Sequence, residues 1–194
     1  MTLRLKLVTA PAAEPLSVSQ LKTHLRIDHN DEDDDLTALI VEAREKLESD
    51  MRRAFITQTW RMSLDGWPTL DEILLPRPPL QSVTSVVYKD SEGNSTTWSS
   101  SAYIVDTDSE PGRIVLAYGE TWPSLTLYPA NPIQITFVAG YGDAADDVPG
   151  NVKRALKLLC GHWYENREGT VSGTIVRDIP MAVESLIWMD RNFP

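Results

Sequence analysis

The hydrophobic period of this chain changes twice, and this change limits its possible folds more than any other feature. Apolar residues recur at helical spacing up to about residue 50, at every second position from about Thr59, and at helical spacing again from about Asp147. These two periods belong to amphipathic helices and to half-buried strands respectively. The sequence therefore predicts an α+β protein. A small bundle of N-terminal and C-terminal helices carries an inserted subdomain that is either an antiparallel β-sheet or barrel-like.

Two helices are predicted before the β segment. Ser17 and Gln20 form a capping-box pattern at the start of the first, and Leu16 can pack on Leu21 across the cap. The second begins near the end of an acidic run and has an apolar face made of Leu36, Leu39, Ile40, Ala43 and Leu47. Its charged residues are expected to turn mostly toward solvent; they are Glu42, Arg44, Glu45 and Lys46.

The β segment consists of short strands joined by turn signals such as Glu92-Gly93-Asn94, a pattern that favours antiparallel pairing. Strands are predicted near Trp60–Leu64, Val83–Tyr88, Tyr103–Val105, Arg113–Leu116 and Ile133–Phe137. The resulting divisions are an extended N-terminal arm or edge strand (1–15), a helical core (16–55 and 146–168), the β insertion (56–145), and a linker with a C-terminal docking helix (169–194).

Length and cysteine content are those of an ordinary globular protein. A chain of 194 residues can bury enough surface to fold without a metal or a disulfide. Its single cysteine, Cys160, permits no internal disulfide and is most simply a small core residue, which fits folding in a reducing cytoplasm. Charged residues interrupt the N-terminal leucines, so a signal peptide is not expected, and no apolar run is long enough for a membrane span.

The net charge of −10 is concentrated in one place. Six of the eight residues between Asp28 and Asp35 are acidic: Asp28, Asp31, Glu32, Asp33, Asp34 and Asp35. Acids at the entrance of a helix complement its dipole, and we expect this run to be a solvated face or the lining of a channel. The sequence shows no basic cluster or basic helix face, so duplex DNA is expected to make only transient, non-specific contact.

A calcium site in the acidic run is not favoured. Asp31, Asp33, Asp35 and Glu42 match EF-hand loop positions, but the position that needs glycine is Leu36, which already belongs to the apolar stripe of the second helix. The histidines have no partner at metal-ligand spacing, and no phosphate loop, dinucleotide fingerprint or nucleophile elbow is present. We therefore expect no enzyme activity and no cofactor.

Two C-terminal segments have the composition of contact surfaces. Trp163, Tyr164 and Arg167 end the long third helix and are either a core cap with a solvated edge or a subunit interface. The tail carries apolar residues on most sides of a short helix, so it must either fold back on its own subunit or insert into a partner. Insertion is favoured, through Ile179, Met181, Val183, Leu186, Ile187 and Trp188.

Several stretches, in order along nearly the whole chain, resemble the tailed-phage head–tail connector (adaptor) family, which also occurs in prophages and gene transfer agents. They are Leu16–Arg26, the acidic run leading into Leu36–Ile40, Ile56–Trp60, Leu75–Val83, Thr136–Gly142 and Gly161–Glu168. The proline-led tail Ile179–Leu186 is a weaker match.

The resemblance implies a structural subunit of a virion or virion-like particle, assembled in the bacterial cytoplasm. Such subunits form a homo-oligomeric ring of twelve copies below the portal protein, extend the DNA channel, and receive a stopper or tail-completion protein. Two other functions stay open: a phage-associated binding or decoration module that uses the β insertion, and, less strongly supported, a hydrolase.

Overall fold

The computed structural model describes residues 4–166 and 181–191. The chain divides into a β unit, with residues 1–12 and 57–141, and a helical unit, with residues 13–56 and 142–193. The predicted α+β class is confirmed. Residues 167–180, which contain most of the predicted linker together with Arg167 and Ile179, lie outside the described residues.

The helical unit contains α1 (Val18–Leu25), α2 (Asp33–Met51), α3 (Gly150–Glu165) and α4 (Met181–Asp190). The predicted capping box is present at α1, where Ser17 Oγ accepts from the Gln20 amide at 3.2 Å and Gln20 Oε1 accepts from the Ser17 amide at 3.1 Å. The core of the unit is formed by buried side chains from all four helices, among them Leu21, Leu36, Ile40, Leu47, Leu156, Leu159 and Val183.

Arg44 does not turn outward as its position among charged residues suggested. It is buried in the helical unit, where Nη1 donates to Glu48 Oε2 at 3.1 Å and Nε donates to Glu14 Oε2 at 2.8 Å. Burial alone would lower the pKa of Arg44, but the bond to Glu14 and the charge of Glu48 outweigh it and raise that pKa. The other oxygen of Glu48 accepts from the Phe55 amide at 2.7 Å, which fixes the turn after α2.

Among the residues that the structure describes, the β unit contains eight strands in two antiparallel sheets. They are β1 (Arg4–Thr9), β2 (Gln58–Leu64), β3 (Glu72–Leu74), β4 (Leu80–Lys89), β5 (Ser95–Thr97), β6 (Tyr103–Asp106), β7 (Arg113–Leu116) and β8 (Ile133–Ala139). The five-stranded sheet has the order β1-β2-β8-β4-β5 and the three-stranded sheet the order β3-β7-β6.

The larger sheet is open, so of the two forms that the sequence allowed, an antiparallel sheet or a small barrel, the sheet is the one observed. Its end strands β1 and β5 each pair on one side only. Its centre is hydrophobic and buried. Met62 of β2 and Val86 of β4 lie opposite Ile135 of β8, and all three side chains are fully buried. The N-terminal arm is an edge strand over residues 4–9, with Arg4 opposite Ser63.

Candidate functional site

The acidic segment, residues 28–35, lies at the start of α2. Asp33, Asp34 and Asp35 occupy the first turn of the helix, where their charge complements the helix dipole. Asp33 also accepts from Lys22 Nζ at 2.8 Å. Asp28, Asp31, Asp34 and Asp35 are exposed. The segment therefore presents four carboxylates to solvent while part of it is anchored to α1.

The acidic segment does not have the geometry of a calcium loop. Two of the EF-hand positions, Asp33 and Asp35, already lie in α2, where successive side chains point in different directions. Within residues 4–166 and 181–191, no group of three or more histidine, cysteine, aspartate or glutamate side chains is placed to hold a metal ion.

Cys160 is fully buried in α3, as expected of a core residue. Its Sγ lies 3.9 Å from the Leu39 carbonyl oxygen, and burial raises the pKa of its thiol to about 12. A thiol with so high a pKa is protonated at neutral pH and is a poor nucleophile.

The aromatic end of α3 is partly used within its own unit. Trp163 and Tyr164 are both half-buried, and the Tyr164 hydroxyl donates to Glu32 Oε2 at 2.6 Å. This bond connects the end of α3 to the acidic segment. A subunit interface at Trp163 and Tyr164 stays a prediction, and Arg167 lies outside the described residues.

The C-terminal helix α4 packs against α2 and α3. Val183 and Ile187 are buried there, at 0% and 6% exposure, because they lie four residues apart on the face that meets these helices. Arg53 Nε donates to the Asp190 carbonyl oxygen, and Asn151 Nδ2 donates to the Asp190 carboxylate. Val183 and Ile187 thus hold the helix to its own subunit, and their part in portal docking stays a prediction.

The opposite side of α4 is exposed and carries three large apolar side chains beside Ser185. Met181, Trp188 and Met189 are 69%, 61% and 76% exposed, whereas Leu186 is half-buried. Of the six residues predicted to dock, Met181 and Trp188 are therefore the accessible ones, and Ile179 lies outside the described residues.

A basic cleft between α1 and α3 was missed by the sequence analysis. It encloses about 550 Å³ and is lined by Gln20 and His24 of α1 and by Lys153, Arg154 and Lys157 of α3. The expectation that no basic cluster exists is wrong, because helical spacing brings Lys153, Arg154 and Lys157 to one side of α3. The i, i+1, i+4 spacing of these cations in the sequence could have predicted a basic face on α3.

The β unit carries an aromatic cluster. The indole rings of Trp67 and Trp122 stack at 5.0 Å between centroids, and Trp98 lies 5.5 Å from Trp67 and 5.3 Å from Trp122. All three are half-buried against one another, whereas Tyr118 is fully exposed. Offset and edge-on aromatic contacts of this kind stabilise a fold.

No helix in the described ranges combines the length and apolar character required to cross a membrane. The two antiparallel sheets, the small helical bundle and the exposed charged and apolar helix faces define an α+β protein whose exposed faces suit contact with other macromolecules. The chain belongs to the head completion protein family, whose model matches residues 14–191. This family and the neck structures described next confirm the predicted relationship to head–tail connector proteins, and the protein is a structural component of the head–tail junction of a virion or virion-like particle.

Solved structures of gene transfer agent (GTA) particles contain similar chains. One, from the neck of an empty GTA particle computed with C6 symmetry, is 26% identical with a TM-score of 0.82. A second, from the neck of a native GTA particle computed with C12 symmetry, is 25% identical with a TM-score of 0.78. Each alignment covers 98% of this chain and 96% of the other. A search of curated proteins finds no match.

Proposed function

We propose that this protein is a ring-forming adaptor that binds below the portal, extends the DNA channel and receives a stopper or tail-completion protein. The observation that carries this proposal is the similarity, over nearly the full length of both chains, to a subunit in a GTA neck computed with C12 symmetry. That symmetry supports a homo-oligomeric ring of twelve copies. The role is structural and requires no catalytic group.

Removal of the gene from a strain that produces the particles tests this role. Heads should still fill with DNA but remain separate from tails, and a plasmid copy of the gene should restore tailed particles. Electron microscopy of the neck with a tagged chain should show density for the tag in a ring coaxial with the DNA. Normal tailed particles in the deletion strain would contradict the proposal.

Contact with the portal is proposed to use the exposed side of α4. Met181 and Trp188 are large, mostly exposed apolar side chains, and the Arg191 guanidinium lies over one face of the Trp188 ring. Buried tryptophans often dominate binding energy at interfaces. Because Val183 and Ile187 hold the other side of the helix, a change at Met181 or Trp188 can be separated from a change in folding.

The test uses the double variant Met181→Ser/Trp188→Ser and purified portal protein. Its melting temperature should equal that of the unmodified protein, whereas its affinity for portal should fall at least tenfold. A matched control is Leu70→Ser/Ile104→Ser, which removes two exposed apolar side chains from the β unit. If the α4 variant binds portal normally, the contact lies elsewhere.

Duplex DNA is proposed to pass through the ring without tight attachment. A chain with a net charge of −10 repels phosphates over most of its surface, and the basic cleft contains only a few cations. Weak contact allows DNA to move, since each neutralised phosphate would add to the binding free energy.

A further inference from the structure

The basic cleft contains positive charge that the described residues do not neutralise. Lys153 Nζ donates to the Ala145 carbonyl oxygen at 3.1 Å and lies 3.9 Å from the fully exposed Asp146. No carboxylate in the described part of the chain forms an ion pair with Arg154 or Lys157. In an acidic protein, such a cleft is suited to an anionic partner.

The acidic segment has negative charge that its own subunit does not neutralise. Asp33 pairs with Lys22, but in the described ranges no cation pairs with the exposed carboxylates of Asp28, Asp31, Asp34 or Asp35. Four negative side chains thus extend from a short stretch whose backbone is held between α1 and α2. Their negative charge complements the positive charge of the basic cleft, and the short stretch that carries them is compact enough to enter it.

The two charged surfaces lie on opposite sides of α1. Gln20 and His24, one helical turn apart, face the basic cleft. Lys22 is rotated by about 200° from Gln20 on an ideal helix and bonds to Asn30 and Asp33 on the acidic side. One copy therefore cannot place its own acidic segment in its own cleft, but a neighbouring copy can.

A ring with cyclic symmetry needs two different contact surfaces on opposite sides of each subunit. A heterologous interface joins two different surfaces on opposite sides of each subunit, and it closes when the rotation between subunits divides a full turn. We propose that the basic cleft of each subunit binds the acidic segment of the next copy of this chain. This inference rests on the proposed ring, and it assigns the acidic segment to the subunit contact instead of the channel wall.

Cross-linking tests the contact in assembled particles. Asp34→Cys and Arg154→Cys in one chain place thiols on the two surfaces, and the native Cys160 is buried and gives little background. A short bifunctional maleimide should produce a ladder of multimers from these necks. Asp108→Cys with Arg154→Cys, which moves one thiol to the β unit, should give no ladder.

The outcomes of cross-linking are distinct. A ring in the neck without a ladder would overturn this inference and leave the proposed function intact. Absence of the protein from the neck, in a strain with the unmodified gene, would overturn both.

Charge exchange gives an independent test. Arg154→Glu/Lys157→Glu should reduce ring-containing necks at least tenfold, and Asp28→Lys/Asp31→Lys should do the same. All four changes in one chain should recover assembly at least in part, since the two introduced lysines can then pair with the two introduced glutamates. Mixing the two defective variants should also restore rings, because each supplies the surface that fits the other.

The matched control for the cleft variant is Lys6→Glu/Arg61→Glu, which changes the net charge equally on the β unit and should leave rings intact. Thermal unfolding of each isolated variant verifies folding. Normal rings from the cleft variant would overturn the inference, and so would failure of the four-change chain to assemble. If the cleft variant keeps its ring but retains DNA poorly, the cleft contacts DNA instead and the inference is wrong.

Discussion

The hydroxyl of Tyr164 donates a 2.6 Å hydrogen bond to Oε2 of Glu32. The bond joins the last turn of α3 to the residue before α2, two positions separated by 132 residues in sequence. It positions the acidic segment relative to the end of α3. An aromatic residue that the sequence suggested as an interface therefore has a role within its own subunit.

Tyr164→Phe should lower the free energy of unfolding by about 1 kcal/mol, because a half-buried hydrogen bond to a charged acceptor contributes less than a fully buried one. Urea denaturation measures the change. In a Glu32→Ala background, the same substitution should have no further effect. An equal loss in both backgrounds would show that the hydroxyl acts through another contact.

Glu48→Ala should be among the most destabilising changes in α2. It leaves the buried Arg44 guanidinium without one partner and the Phe55 amide without its acceptor, and loss of one member of a buried ion pair costs about 3 kcal/mol or more. The control is Glu45→Ala, because Glu45 lies 3.6 Å from the same guanidinium but is mostly exposed. Its effect, measured by urea denaturation, should stay below about 0.5 kcal/mol.

Asp106 should make the stability of the β unit fall at acidic pH. Hydrogen bonds from Ser109 and then Arg113 lower the pKa of this carboxyl to about 2. Because the folded pKa lies below the unfolded value, the stabilisation is present above about pH 4 and disappears as pH falls toward 2. In calorimetry, Asp106→Asn should show a smaller fall in melting temperature across that range than the unmodified protein. Identical slopes would contradict the assignment.

Ile187→Ala tests whether α4 belongs to the helical unit. Removal of a buried isoleucine side chain costs about 2 kcal/mol or more, so the melting temperature should fall. Trp188→Ala, one residue further along, removes a mostly exposed ring that the Arg191 guanidinium contacts, and should change stability by about 1 kcal/mol or less. If Ile187→Ala were neutral, the packing of α4 on α2 and α3 would not contribute to folding.

Duplex DNA should bind weakly to the isolated protein. An electrophoretic shift at near-physiological salt should show no complex at sub-micromolar protein, since non-specific affinities are about 10⁻⁴ to 10⁻⁶ M even for DNA-binding proteins. Arg154→Glu/Lys157→Glu should not change that result. A tight complex that this double variant abolishes would assign the basic cleft to DNA.

Local signals identified most of the secondary structure. Strand β7 begins and ends at the predicted residues, and the capping box at Ser17 and Gln20 forms as expected. The short strands β3 and β5 were not predicted, because three residues are too few to show a period of two. Their existence depends on partners, β7 for the first and β4 for the second.

The sequence by itself determined the α+β class, the capping box of α1, the bounds of β7 and the family, because these depend on neighbouring residues and on ordered motifs. Only the tertiary structure decided that Arg44 is buried, that the larger sheet stays open, that Val183 and Ile187 face their own subunit, and that three cations border one cleft with α1. Each of these depends on which distant surface a side chain meets. Helical spacing shows which face of a helix a residue lies on. The packing of helices far apart in sequence decides whether that face contacts protein or solvent.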